Sequence, residues 1–292
     1  MKKINIISIL FVIMFIITSC VDDIIIDTQE GPKLIGISGY ISNEYKKHQI
    51  VISKTMDFYS NEEIEMISDA EVFVFDGNDT IYFKETDNKG YYETIDSIAG
   101  TIGRTYKLHV NLIDEDGEHY YYAESTMKDN ATQIDSMTIK GITLGEWQLE
   151  TLGIYPYFQS ISDMDAVYLV NASINDSLCN KSLIDCQLFF LGGLSGEYVN
   201  GQEMVTLIGE QPLYIFPMTE NSSSLPKHGD KVTMILYSIT PEFSQYISDI
   251  NSNFGSNPMM GMPYNVSTNI YPEGKAVGFF EAYSVIESSV IY

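Results

Sequence analysis

The chain is poor in positive charge, and this shortage excludes whole classes of function. Its 292 residues contain 16 Lys and Arg against 40 Asp and Glu, which gives a formal net charge of −24 at pH 7. This balance argues against nucleic-acid binding and against electrostatic binding of anionic lipid through a cluster of basic residues. It suits a soluble domain in a cation-rich outer environment.

Residue patterns for catalysis are equally scarce. None of the four histidines, His48, His109, His119 and His228, forms an H-x-H or HExxH pair. The sequence has no Gly-x-Ser-x-Gly elbow and no Gly-Lys-Ser/Thr phosphate loop. We therefore predict a protein that is not an enzyme, with no catalytic residue, no metal site and no cofactor.

The only long apolar run lies at the start of the chain. Lys2 and Lys3 precede residues 4–17, a segment shorter than the roughly 20 residues that span a bilayer. Ile17-Thr18-Ser19-Cys20 resembles the lipobox of bacterial lipoproteins, in which the thiol is lipidated and the signal is cut before it. We predict a signal peptide over 1–19 and a lipid anchor at Cys20; the alternative is an ordinary signal peptide or membrane anchor with an incidental cysteine.

Acidic residues follow the predicted anchor at once. Val21-Asp22-Asp23 resembles the surface-export signal of Bacteroides-type lipoproteins. This resemblance implies an outer-membrane protein that faces the cell exterior. We predict an acidic linker over 20–33. The alternatives to the export signal are a periplasm-facing position and a solvated linker that carries no signal.

Cysteine is rare beyond Cys20. Cys179 and Cys186 are the remaining two, seven positions apart. In an oxidising compartment this spacing favours a local disulfide, with two buried free thiols as the alternative. Metal binding is disfavoured because no histidine is near and the spacing is not Cys-x-x-Cys.

Short β-type segments separated by Gly, Asn and Asp fill the region 34–130 and predict a β-sandwich. The predicted strands are 34–41, 48–55, 70–76, 80–85, 91–95, 105–113 and 118–126. The last two form the clearest hairpin, with alternating apolar residues on one face. In this hairpin Lys107 should face Glu124 and His109 should face Tyr122.

Residues 131–292 form a second, mainly-β domain in this reading. Its predicted strands are 166–174, 186–192, 203–209, 231–239 and 275–286. One amphipathic helix should begin after Thr240 as N-cap, with Pro241 in the first turn, and end near Gly255.

Tyrosine is abundant, with 21 residues. Tyr120 and Tyr122 should lie on the wet face of the hairpin beside His109, and we predict a ligand platform there. A second candidate is the methionine-rich loop, whose thioethers adapt to apolar partners: Met259, Met260, Met262 and Tyr264. The alternative for the tyrosines is core and rim packing.

Four Asp-Ser/Thr-apolar triplets resemble the O-glycosylation acceptor of Bacteroides-type exported proteins. Turn chemistry at strand ends explains the same residues without modification. The acceptor residues would be Thr80, Ser97, Ser136 and Ser177.

The order of several motifs resembles the family called domain of unknown function 4249. These motifs are GISGYIS, SDAEVFVFDG, GRTYKLHV, DGEHYYYAESTM and GDKVTMILYSITPEFSQYI. The resemblance implies a transthyretin-like or carboxypeptidase-regulatory-like sandwich at the N-terminus and an outer-membrane lipoprotein, often beside a TonB-dependent transporter. We therefore expect a non-enzymatic accessory that captures a ligand or braces such a transporter; the alternative is a free-standing surface adhesin or glycan-binding module.

Overall fold

The computed structural model describes residues 33–56, 63–114, 117–128, 131–144, 149–160, 166–190, 212, 214–216, 225–255 and 266–292. The strands of this part of the chain are β1 (Ile35–Ser42), β2 (Gln49–Lys54), β3 (Glu71–Phe75), β4 (Thr80–Glu85), β5 (Tyr91–Thr94), β6 (Thr105–Asp114), β7 (Gly117–Thr126), β8 (Ala131–Leu144), β9 (Leu149–Ser160), β10 (Val167–Ile174), β11 (Ser177–Leu178), β12 (Gln187–Phe190), β13 (Tyr214–Ile215), β14 (Lys231–Ile239) and β15 (Ala276–Ile291). The described helices are a 3-10 turn, Leu183–Asp185, and one α-helix, α1 (Pro241–Gly255). The predicted all-β class with one helix is confirmed.

The first seven strands form where the sequence predicts them, with bounds that differ by at most one residue. In the β6–β7 hairpin Lys107 pairs with Glu124 and His109 with Tyr122, as predicted. Lys107 Nζ lies 3.1 Å from Glu124 Oε2. The alternation of polar and apolar residues therefore determined both the register and the solvent-facing side.

Two sheet layers of the N-terminal half enclose one core, as in a sandwich. β1, β2 and β5 carry Ile37, Ile50 and Tyr92 into this core from one side. β3 and β6 carry Val72 and Leu108 into it from the other side. Along the hydrogen-bonded path the order is β15-β1-β2-β5-β4-β3-β6-β7, so β4 and β5 connect the two layers.

The last strand belongs to both halves of the chain. β15 pairs in parallel with β1 and antiparallel with β14. Its residues Phe280 and Ala282 lie in the N-terminal core. Residues Lys33–Tyr292 form one compact unit, and the domain division at residue 130 stays a prediction.

Strands β10 and β14 are buried along almost their whole length. Tyr168 and Val170 pack in one cluster with Phe216, whereas Leu169 packs in another with Phe243 of α1. Because both faces are covered, these strands read as continuous apolar runs rather than as alternating ones.

Helix α1 begins as its sequence predicts. Thr240 Oγ1 accepts a hydrogen bond of 3.2 Å from the amide of Phe243, which is the N-cap geometry. Phe243 and Ile247 form the buried face of the helix. The apolar stripe is therefore a core face.

The long β8–β9 hairpin was not predicted. Register shifts between Ala131 and Ile134, and between Ile134 and Ser136, interrupt the two-residue period of β8. In β9, Pro156 lies inside the strand, where proline ordinarily argues against one. The predicted strand 203–209 lies outside the described residues.

Candidate functional site

An aromatic row crosses the outer face of the sheet made by β4, β3, β6 and β7. Phe73 lies opposite Tyr82 on one side and opposite His109 on the other. His109 lies opposite Tyr122, which forms an isolated bridge with Tyr271. Sheet register thus places on one line residues that are far apart in sequence. The row consists of Tyr82, Phe73, His109, Tyr120, Tyr122 and Tyr271.

The rings of the row are in contact from end to end. Ring centroids are 4.8 Å apart for Phe73 and His109, and 5.7 Å apart for His109 and Tyr120. They are 6.2 Å apart for Tyr120 and Tyr122, and 5.3 Å apart for Tyr122 and Tyr271. Interplanar angles of 17° to 29° indicate stacking for three of these contacts. The rings of His109 and Tyr120 are tilted by 34°.

The row faces solvent, in contrast to the tyrosines that fill the core. Exposed fractions are 55% for Tyr82, 49% for Tyr120, 46% for Tyr122 and 48% for Tyr271. Tyr121, between two exposed tyrosines of the same strand, is buried. Exposed aromatic residues that lie side by side make this face a candidate binding surface.

His109 is the polar centre of the row. Its Nδ1 is hydrogen-bonded to the hydroxyl of Tyr120. Partial burial, and next the charge of Lys107, lower the pKa of His109 below 6.5. The imidazole is therefore neutral at neutral pH and presents a ring without charge to the surface.

Charged and amide groups border the row on both sides. The Lys107–Glu124 ion pair lies beside Tyr122 on the outer face. Asn111 Nδ2 donates a hydrogen bond of 2.8 Å to Glu118 Oε1. The row is thus an apolar strip between hydrogen-bonding groups.

Hydrogen bonds made by Tyr271 and by the nearby Asn269 hold the backbone around Tyr271 in place. Its amide and carbonyl exchange hydrogen bonds of 2.8 and 3.0 Å with the backbone of Tyr122. Asn269 Nδ2 donates to the carbonyl of Phe280 at 2.7 Å, and Asn269 Oδ1 accepts from the amide of Phe280 at 3.0 Å. These bonds attach the segment to β7 and β15, so the ring is positioned before any ligand arrives.

A cleft opens where the row ends. Its volume is about 560 Å³, within the range of small-molecule sites. Tyr122, Tyr271 and Phe279 line it with aromatic rings, while its polar lining comes from Glu124, Ser125, Thr126, Lys128, Thr240, Glu242 and Asn269. We call this hollow the Tyr271 cleft.

A buried carboxyl lies behind the polar wall of the Tyr271 cleft. Glu281 of β15 is 0% exposed. Its Oε1 accepts a hydrogen bond of 2.7 Å from the amide of Thr240. Its Oε2 accepts bonds of 2.8 Å from the hydroxyl of Thr240 and 3.0 Å from the hydroxyl of Ser125. Burial outweighs these three bonds and raises the pKa of Glu281 to about 8.

The structure brings together one of the two predicted platforms. His109, Tyr120 and Tyr122 are adjacent, as the hairpin register predicts. Phe73, Tyr82 and Tyr271 complete the row and were missed. Phe73 and Tyr82 could have been found from the β3–β4 hairpin, in which Val72 and Val74 point inward and leave Phe73 outside. The second platform (Met259, Met260, Met262 and Tyr264) and the anchor residue Cys20 lie outside the described residues.

The predicted disulfide is not formed in this structure, where Cys179 and Cys186 are free thiols. Cys179 packs with Tyr168 on one side of β10, whereas Cys186 packs with Leu169 on the other. The two cysteines thus belong to different hydrophobic clusters. Burial raises the pKa of Cys186 to about 12.

The predicted glycosylation acceptors differ in accessibility. Thr80, Ser136 and Ser177 are exposed, and Ser97 is half-buried. All four are in described parts of the chain, and modification remains a prediction.

The described residues contain neither a cluster of metal-binding side chains nor a helix that could span a membrane. No group of three or more His, Cys, Asp or Glu side chains in those ranges could hold a metal ion. No helix in the same ranges combines the length and apolar character needed to cross a bilayer.

Comparison with known proteins agrees with the motif order in the sequence. A search of the curated proteins found no match. The family model described as domain of unknown function DUF4249 matches residues 21–289, which is nearly the whole chain. The chain therefore belongs to the DUF4249 family.

Proposed function

We propose that this chain is a non-enzymatic, lipid-anchored binding protein of the outer membrane that captures a ligand for a TonB-dependent transporter. One observation carries the binding role: a row of six aromatic rings in contact, four of them about half exposed. Such a surface costs solubility and adds nothing to the core, so contact with a ligand is its physical rationale.

The row has the properties of a prepared surface. His109 is neutral and bonded to Tyr120, and backbone bonds fix Tyr271 against Tyr122. A ligand that binds here orders few side chains, because the rings already support each other. The entropy lost when the ligand binds is therefore small, which favours affinity.

The membrane part of the proposal rests on the sequence. The lipobox at Cys20 and the acidic residues after it support a lipid anchor and exposure on the cell exterior. Several acyl chains on one residue fasten a folded domain firmly, whereas a single chain anchors only marginally. The transporter role rests on what the family resemblance implies.

A pull-down tests the transporter role. The tagged, natively lipidated chain is extracted in mild detergent, and co-purifying proteins are identified by mass spectrometry. The expected result is an outer-membrane barrel in stoichiometric amount, with a Cys20→Ala variant, which lacks the anchor, as control. Recovery of the chain alone would refute the transporter role and favour the alternative of a free-standing adhesin or glycan-binding module.

A further inference from the structure

We propose that the Tyr271 cleft binds the end residue of a neutral, linear oligosaccharide, whose following residues extend over the aromatic row. This inference rests on the binding role proposed above and names its ligand class. The cleft and the row share Tyr122 and Tyr271, so a single chain-like ligand can occupy both.

Ring stacking places the main contact in the cleft. Inside the row each ring is partly covered by its neighbours, which leaves mainly ring edges and hydroxyl groups for a ligand. Tyr271 is the last ring of the row in the described residues, with Tyr122 stacked on one side at 5.3 Å. Tyr271 is 48% exposed and lines the cleft, so part of its ring is accessible to the apolar face of a pyranose ring. A tyrosine ring combines an apolar face with a polar tip.

The polar lining of the cleft suits a ligand rich in hydroxyl groups. Glu242, exposed on the first turn of α1, and Lys128, which is half-buried, both line the cleft. A carboxylate and an ammonium group together accept from and donate to hydroxyl groups. A cleft lined by both aromatic rings and hydrogen-bonding groups fits a sugar better than a purely apolar ligand.

The charges of the protein favour an oligosaccharide without charge. Within the cleft, Glu124 is paired with Lys107 at 3.1 Å, and Glu242 and Lys128 carry opposite charges. The residues that line the cleft therefore have no net positive charge that would attract an anionic ligand. The whole chain has a formal net charge of −24, which repels polyanionic ligands at a distance.

The geometry of the row argues for a linear ligand that crosses the strands. From Tyr82 on β4 to Tyr271 the row passes over β3, β6 and β7. Four inter-strand steps at about 4.8 Å give a length of roughly 19 Å. This length accommodates several sugar residues in line.

Calorimetric titration of the full-length chain in mild detergent tests the inference. The probes are linear hexasaccharides and disaccharides of glucose, mannose or xylose, an oligogalacturonate of six residues, and a neutral peptide of similar length. The variants are Tyr271→Ala, and Glu242→Trp, which fills the cleft from an exposed position. Tyr82→Ala removes the far end of the row, and Tyr45→Ala, at a tyrosine that is 77% exposed and lies outside the row, is the control.

The expected result is binding of at least one neutral hexasaccharide, weakened about tenfold or more by Tyr271→Ala and by Glu242→Trp. Tyr82→Ala should weaken the hexasaccharide and leave the disaccharide unchanged, and Tyr45→Ala should change neither. Absence of neutral-sugar binding, tighter binding of the oligogalacturonate or the peptide, or full affinity in Tyr271→Ala would overturn the inference.

The pull-down separates this inference from the transporter role. A barrel recovered with a chain that binds no sugar would refute the ligand class alone. Sugar binding by a chain that comes down without a barrel would support the cleft and refute the transporter role.

Discussion

Replacement of Glu281 by glutamine should remove a large part of the pH dependence of stability. Glu281 is fully buried and joins the N-cap residue Thr240 to Ser125 of β7. Burial raises the pKa of Glu281 from 4.5 to about 8. Between these values the folded protein keeps a proton that the unfolded chain releases, so the free energy of unfolding falls as the pH rises through this window.

The size of the effect follows from the pKa interval. At about 1.4 kcal/mol per pKa unit, the interval from 4.5 to about 8 corresponds to a loss of up to about 5 kcal/mol. Glutamine has nearly the same shape, accepts one of the three hydrogen bonds unchanged and carries no charge. We therefore expect Glu281→Gln to be close to the native chain in stability at pH 5 and more stable by several kcal/mol at pH 8.5.

Urea unfolding of residues 21–292, followed by circular dichroism from pH 5 to 8.5, measures the effect. The relevant quantity is the difference in unfolding free energy between Glu281→Gln and the native sequence at each pH. Glu287→Gln, at an exposed position of the same strand, should show a nearly constant difference. A constant difference for Glu281→Gln as well would refute the reasoning that this carboxyl is protonated in the fold.

Three further predictions concern the backbone, the thiols and the anchor. Gly278→Ala should destabilise the fold by more than about 2 kcal/mol in urea unfolding, because φ is +104° and a Cβ would collide with the Ile37 carbonyl. Gly229→Ala is the control, because φ is +97° and the space around the Cβ position is open; it should cost only the backbone strain of about 1–2 kcal/mol. Equal losses of unfolding free energy in the two variants would contradict the clash. Thiol titration of residues 21–292 should find two free thiols after unfolding. Before unfolding the reaction should be slow, because Cys186 is buried and its pKa is raised. A count of zero thiols without reductant would show that the disulfide forms. Cys20→Ala should move the protein from the membrane fraction to the soluble fraction, and unchanged membrane association would refute the lipid anchor.

Local pattern was sufficient for the N-terminal strands and the helix. In the β6–β7 hairpin the strict alternation of residues such as Leu108 and His109 determines which side is buried. At α1, Thr240 and Pro241 mark the start of the helix through cap chemistry alone. These features depend on neighbours in the sequence, so a single sequence contains them.

Non-local pairing accounts for what the sequence did not reveal. Half of the aromatic row depends on the pairing of β3 with β6 and on the bridge between Tyr122 and Tyr271. The parallel pairing of β1 with β15 joins the two ends of the described chain. In β8, bulges break the alternation that would have predicted the strand. Sequence distance does not tell which face of a sheet a residue occupies, so it could not place Cys179 and Cys186 relative to each other.

The position of β1 also determines how mechanical load would enter the domain. In the proposed anchored state, a pull between the membrane and a bound ligand is transmitted through the segment that leads into Ile35. β1 is an interior strand, with Ala276–Tyr283 of β15 on one side and Ile50–Lys54 of β2 on the other. Force along β1 therefore loads two hydrogen-bonded ladders in shear at once, whereas an edge strand would peel away one bond at a time. This arrangement makes the domain resistant to unfolding by a pull on its N-terminal anchor.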